Sequence, residues 1–238
     1  GVPFKETQIF KRMQEAIRSG NLLAAVEDGI ELIQNYPGSQ KSDLAENKIL
    51  RIYLGIANKT SENYRLLRER IIELMLRADA KRLHRWAKNA KARGRYKEAV
   101  QLAKAADKRL GAHPDSKDIL RVQAMSAIYS GQYGESEAAL QKLREQHSGT
   151  RSWQQAIFHL GLLKVRQENC AEAVSYFERL LAVQDLEEDS KYKGLYWLWR
   201  CRQKQASESA APTAKRLIQE FPLTYYGLRA QIETNDGA

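Results

Sequence analysis

Apolar positions recur every three or four residues along nearly the whole chain, and no stretch alternates in the two-residue rhythm of a strand. Leu22, Val26, Ile30 and Ile33 make one stripe, and Val100, Leu102, Ala103, Ala106 and Leu110 make another. Leu160, Leu163 and Val165, then Val174, Phe177, Leu180 and Leu181, continue the pattern. Breakers interrupt it at short intervals: Pro37-Gly38-Ser39, Gly94, the stretch 111–114, Gly131, Ser148-Gly149, the stretch 185–189 and Pro222. The spacing predicts about twelve helices joined by short turns. They run over 5–19, 22–35, 40–58, 62–76, 79–92, 96–110, 116–130, 134–146, 151–167, 171–184, 190–204 and 209–220, with a short thirteenth from Thr224.

The breakers are themselves periodic. Gly94-Arg95-Tyr96-Lys97-Glu98-Ala99 is echoed 37 residues later by Gly131-Gln132-Tyr133-Gly134-Glu135-Ser136. Another 37 lands on Glu168, with Ala173 in the alanine place, and a further 37 on Gln205, with Ala210 in that place and Pro222 beyond it. Two steps back from Gly94 lies Gly20, followed by Ala25 and Pro37; the step between, at 57–62, keeps the phase and loses the signature. This frame resembles the tetratricopeptide repeat, with glycine in the turn, alanine where two helices meet and proline after the second helix. Leu160-Gly161, Ala173 and Phe177 are its best-preserved set. The period is longer than the usual ~34 residues and the tryptophan position is unfilled. The expected fold is all-α, a solenoid or superhelix of about six helix–turn–helix pairs in one helical-repeat domain over 1–238. A non-repetitive helical bundle is the alternative.

Composition narrows the classes. The 238 residues are 43% apolar and 29% charged, with 20 aromatics to fill a core, so the chain is not of the disordered type. Two cysteines do not make a disulfide scaffold. No apolar run approaches the ~18 residues that span a bilayer. The start, Gly1-Val2-Pro3, lacks Met and a signal peptide and suggests a processed product or a fragment. The balance of 39 Lys+Arg against 29 Asp+Glu, net +10, admits nucleic acid, acidic polymers or anionic surfaces as partners. That excess is concentrated. Residues 65–109 hold fifteen Lys/Arg and five Asp/Glu, and residues 81–97 hold eight and none. Lys81, Arg85 and Lys88 share one helix face, opposite Leu83, Trp86, Ala87 and Ala90. With nearby Arg95 they are the candidate ligand-binding residues, for an anionic polymer; a merely solvated helix back is the alternative.

Signals of catalysis are nearly absent. The phosphate-loop, dinucleotide, zinc-protease and nucleophile-elbow motifs do not occur. His84, His113, His147 and His159 fall in different repeats without a second ligand at metal spacing, so neither a metal nor a cofactor is expected. Glu187-Glu188-Asp189 precedes a helix, where carboxylates suit the positive end of the dipole.

The last fifty residues carry the most specific pattern. Tyr196-Trp197 and Arg200 lie on one helix, and Pro222-Leu223-Thr224-Tyr225-Tyr226-Gly227 with Ala230 follows the next. Together they resemble the end of the helical superhelix in soluble lytic murein transglycosylases, over about 45 residues and most closely within 190–238. The resemblance implies a periplasmic, cell-envelope protein that positions peptidoglycan glycan strands, with a lysozyme-like domain cleaving them through one glutamate. No Glu-Ser followed by a Gly-Leu-Met-Gln type segment occurs here, and no catalytic residue carries over. The chain is then the non-catalytic helical scaffold, not an enzyme itself, and a parent protein with the lysozyme-like domain after Ala238 would be the enzyme. Tyr225, Tyr226 and Leu228, beyond the stop at Pro222, are the candidate surface for docking that domain. The other reading is a tetratricopeptide-like adaptor that holds a protein partner in its concave groove. Nucleic acid is not expected as the partner. Tyr192, Tyr196, Trp197 and Trp199 read as packing, with a sugar-stacking platform as the alternative. Cys170 lies 17 residues before Glu187 and Cys201 lies 14 after it, so antiparallel helices would let the two face each other, bonded in an oxidising compartment or as separate buried thiols.

Overall fold

In a computed structural model of the chain, residues 2–235 are described; they form thirteen α-helices, and no strand is found among them. The helices are α1 (Val2–Arg18), α2 (Leu22–Asn35), α3 (Gln40–Ile56), α4 (Glu62–Met75), α5 (Ala80–Ala92), α6 (Tyr96–Leu110), α7 (Ser116–Tyr129), α8 (Tyr133–Gln146), α9 (Arg151–Arg166), α10 (Cys170–Leu181), α11 (Glu188–Lys204), α12 (Ala210–Glu220) and α13 (Tyr225–Asn235). The fold is an all-α helical-repeat solenoid, as the 37-residue frame predicts. Helix ends agree with the expected ones to within three residues. The two three-residue gaps are at the start of α1 and at the end of α10, which stops at Leu181 because the following turn turns inward to bury Leu186 against Ile157 and Leu180. The thirteenth helix is a full eleven residues long.

The repeating turn has a specific geometry. After the first helix of a pair, one residue takes the left-handed conformation: Gly20 at φ 76°, Gly94 at 71° and Gly131 at 74°. The residue after it sends its N–H back five positions to close the helix: Asn21 to Ala16 O and Arg95 to Ala90 O, both at 2.9 Å. This is the Schellman closure, whose left-handed residue is glycine for want of a Cβ clash. Asn169 to Lys164 O and Ser207 to Arg202 O repeat it at 2.9 Å, yet the left-handed places there belong to Glu168 (φ 59°) and Ala206 (φ 51°). The frame thus holds through 168 and slips by one residue at the last step. That turn is five residues long instead of three, so Ala210 is only partly buried and Thr213 fills the small-residue place. The turn after α3 is also five residues, with right-handed Ala57 in place of a left-handed glycine, which explains the lost signature there.

The chain divides into two compact units, one ending at Gly131 and the other starting at Gln132. In the first unit, α1 packs on α2 and α3, α2 on α4, α4 on α6, and α5 on α6 and α7, the alternate-helix contacts that a stack of pairs requires. Its core runs through Met13, Ile30, Ile49, Tyr53, Met75, Trp86 and Leu102, all at most 2% exposed. In the second unit, α9 packs on α8, α10 and α11, and α13 on α11 and α12. Small residues set the close approaches. Ala25, Ala99, Ser136 and Ala173 are fully buried at equivalent places in α2, α6, α8 and α10. A Cβ at Gly161 would stand 2.7 Å from the Phe177 ring, so this glycine is what lets α9 and α10 meet.

Candidate functional site

The candidate basic residues separate on α5. Its apolar stripe (Leu83, Trp86, Ala87, Ala90) is buried, which turns Lys81, Arg85 and Lys88 outward. Arg85 is engaged: Nε donates to Glu46 Oε1 at 2.9 Å and Nη2 to both carboxylate oxygens at 2.7 and 2.6 Å. Beneath it the buried Arg82 holds Glu46 at 3.1 Å, Asp79 at 2.6 Å and Asp43 at 3.3 Å. Burial alone would lower the Arg82 pKa, but these carboxylates raise it. Arg95 pairs with Glu98 at 2.7 Å, beside the fully buried Tyr53, whose hydroxyl burial and then Glu98 push well above its ordinary value. Lys81 and Lys88 stay exposed and form no ion pair.

The acid-free run of the sequence is therefore not acid-free in space. The carboxylates come from α3, 36–39 residues earlier, about one period of the repeat. Looking one period back along the chain would have found them. The structure also adds residues that the local pattern missed. On the α7 side of α5, Lys91 is partly buried, and its pKa is lowered by burial and then by the charge of Arg121. His84, on the same side, is held below its ordinary pKa by burial and by Lys88, against the opposing pull of Asp118 and Asp115, and its Nε2 has no partner. Lys88, Lys91 and Arg121, with Lys81 on the same face of α5 as Lys88, thus form a group of cations on α5 and α7 beside one acid, Asp118, and none of the four makes an ion pair among the described residues.

The charge of the units agrees with this concentration. Residues 1–131 contain 25 Lys/Arg and 15 Asp/Glu, and residues 132–238 contain 14 of each. The whole excess of +10 belongs to the first unit.

The candidate docking residues separate too. Tyr225 is 66% exposed and Leu228 46% exposed, and Ile232 one turn on extends their face. Tyr226 instead turns inward. Its ring lies 4.6 Å from Tyr196 and 6.0 Å from Tyr192, and Tyr192 meets Phe221 at 5.8 Å. Arg200 binds Glu233, which Arg229 also holds at 2.7 Å. Tyr196, Trp197, Tyr226 and Ala230 of the terminal pattern thus belong to one packed cluster joining α11, α12 and α13, while Leu223 and Tyr225 are exposed. A Cβ at Gly227 would stand 1.9 Å from the Phe221 carbonyl oxygen, which fixes that glycine. Among the described residues no group of three or more His, Cys, Asp or Glu could hold a metal ion, and no helix is long and apolar enough to cross a membrane.

No family model matches the sequence, and no curated protein matches it. Solved structures do. A type IV pilus biogenesis factor, PilW, superposes with a TM-score of 0.54 at 15% identity, covering 95% of this chain and 98% of that one. Pseudomonas aeruginosa pilF gives 0.51 at 14% identity, covering 96% and 97%. A putative kinesin light chain of Podospora anserina, described by its nearly identical tetratricopeptide-like repeats, gives 0.51 at 17% identity, covering 87% and 95%. At such identities the likeness is one of fold: the chain has the tetratricopeptide-like helical-repeat fold.

Proposed function

We propose that this protein is a non-catalytic interaction scaffold that binds an acidic segment of a protein partner on its first unit. The observation that carries the proposal is the group Lys81, Lys88, Lys91 and Arg121, cations on neighbouring helices that outnumber the nearby acid Asp118 and make no ion pair among the described residues. Holding like charges together costs free energy that an incoming carboxylate recovers. A helical-repeat stack suits the task because its rigid, parallel helices present side chains at fixed intervals over a long surface. Peptidoglycan as the partner, with the periplasmic location it implies, is supported only by the sequence pattern of 190–238, in which Tyr196, Trp197, Tyr226 and Ala230 are occupied in internal packing.

The test is a fluorescence-anisotropy titration of the whole chain with an oligo-glutamate peptide. Reversing Lys81, Lys88 and Arg121 to Glu is expected to weaken binding by about tenfold or more, since each exposed ion pair is worth up to ~1 kcal/mol. Reversing Arg77, Lys97 and Lys108, the same charge change elsewhere on the unit, is expected to do far less. Equal losses from both sets would mean attraction to net charge alone and would reject the surface. Purified sacculi in the same assay, bound by the chain while the peptide is not, would favour the glycan partner.

A further inference from the structure

The two cysteines are used by nothing described so far, and the fold has brought them together. Cys170 is the first residue of α10, and Cys201 lies in the last turns of α11. The turn at 182–187 reverses the chain, so the first turn of one helix meets the end of the other at the open mouth of the hairpin. Both thiols are free and belong to one buried cluster with Phe177 and Leu198. Burial, and then the neighbouring Cys170 thiol, push the Cys201 thiol up to about 12. They differ in access: Cys170 is 8% exposed and Cys201 1%. Both line a groove of about 400 Å³ whose other walls include Val165, Trp197, Arg200 and Lys204. Arg200 there is paired with Glu233, and the exposed Lys204 lies 3.9 Å from Glu168.

We propose that Cys170 and Cys201 are a thiol–disulfide exchange site, which a small disulfide such as oxidised glutathione entering this groove converts into a cross-link between α10 and α11. Cys170 reacts first because it is the sulfur that the groove exposes. It gives its proton to solvent, and its thiolate attacks one sulfur of the incoming disulfide, which releases one thiolate and leaves a mixed disulfide on Cys170. Cys201 then loses its proton and attacks Cys170 Sγ, expelling the second thiolate. The protein pair gives up two electrons, and the small disulfide accepts two and leaves as two thiols. The product ties the hairpin at the mouth, where the two helices are farthest from the turn that already joins them, and the closed loop of about thirty residues makes the constraint a substantial one.

The experiment treats the whole chain with oxidised glutathione, quenches with acid, alkylates under denaturing conditions and measures intact mass. The expected product has lost two hydrogens, takes up no alkylating reagent and yields one cross-linked peptide containing Cys170 and Cys201. Its melting temperature is expected to rise by about 10 °C and to fall back on reduction. A Cys201→Ala chain is expected to stop at the mixed disulfide on Cys170, and a Cys170→Ala chain to leave Cys201 unmodified. Two alkylatable thiols after oxidation, a stable mixed disulfide on the unsubstituted chain or disulfide-linked dimers alone would each overturn the site. The measurement on the unsubstituted chain decides the matter even if either variant fails to fold.

Discussion

Glu168 stands where the repeat places glycine. Its φ of 59° repeats the left-handed turn of Gly94 and Gly131, and its side chain reaches only a long, exposed contact with Lys204 at 3.9 Å. A left-handed residue with a Cβ costs roughly 1–2 kcal/mol, part of which glycine returns as unfolded-chain entropy. Glu168→Gly is therefore expected to stabilise the chain by up to about 1 kcal/mol, read as a higher urea midpoint; an unchanged or lower midpoint would show that the strain is relieved locally. Gly161 is the opposite case. Gly161→Ala puts a methyl 2.7 Å from the Phe177 ring and is expected to cost about 1–3 kcal/mol as α9 and α10 are forced apart. The glycine turns were legible in the sequence because the same residue recurs at a fixed interval. Glu168 was legible only as a position in the frame, since nothing about glutamate announces a left-handed backbone. The Gly227 contact with the Phe221 carbonyl was not legible, because it depends on how α13 folds back on the end of α12.

At the scale of the helix, periodicity gave nearly every element, because alternating breakers and 3.6-residue stripes are local signals. What failed was the charge of α5 when read in isolation. A helix in a repeat stack has neighbours one period away, and α3 supplied Glu46 and Asp43 to the arginines of α5. Breaking that network is expected to matter: Glu46→Gln removes the carboxylate shared by the buried Arg82 and by Arg85, leaving Arg82 to Asp79 and Asp43, and is expected to cost about 1–3 kcal/mol. Element packing also sets a pH dependence. His159 on α9 is held neutral, its pKa lowered from 6.5 to about 4 by burial and then by Lys193 on α11. Its folded pKa is lower than its unfolded one, so the unfolded chain binds the extra proton as the pH falls. The stability this residue contributes is present above pH 6.5 and is lost between there and about pH 4. The loss is at most about 3 kcal/mol. Urea midpoints of the wild type and of His159→Gln, measured across that range, are expected to converge as the pH falls; a constant difference would contradict the assignment.

For the molecule as a whole, net charge and fold were available from the sequence, but the place where charge does something was not. The +10 excess divides wholly to the first unit, and three arginines of its acid-free run, Arg82, Arg85 and Arg95, are already engaged by Asp79, Glu46 and Glu98. What remains is the smaller group on α5 and α7, half of which, Lys91 and Arg121, lies outside the stripe that the sequence singled out. The terminal aromatic pattern had the reverse history: a specific signature in sequence, it proved in space to be the packing that seats the last helix. Binding through exposed cations is screened over ~8 Å at physiological salt, so affinity for an acidic segment is expected to fall steeply as salt rises, whereas an apolar docking mode would be indifferent. The most direct measurement of the central claim is backbone hydrogen exchange of the whole chain with and without saturating oligo-glutamate peptide. Protection confined to α5 and α7, within 80–92 and 116–129, and lost on reversal of Lys81, Lys88 and Arg121, is the predicted result. Protection in α11 to α13 instead, or none anywhere at saturation, would contradict it.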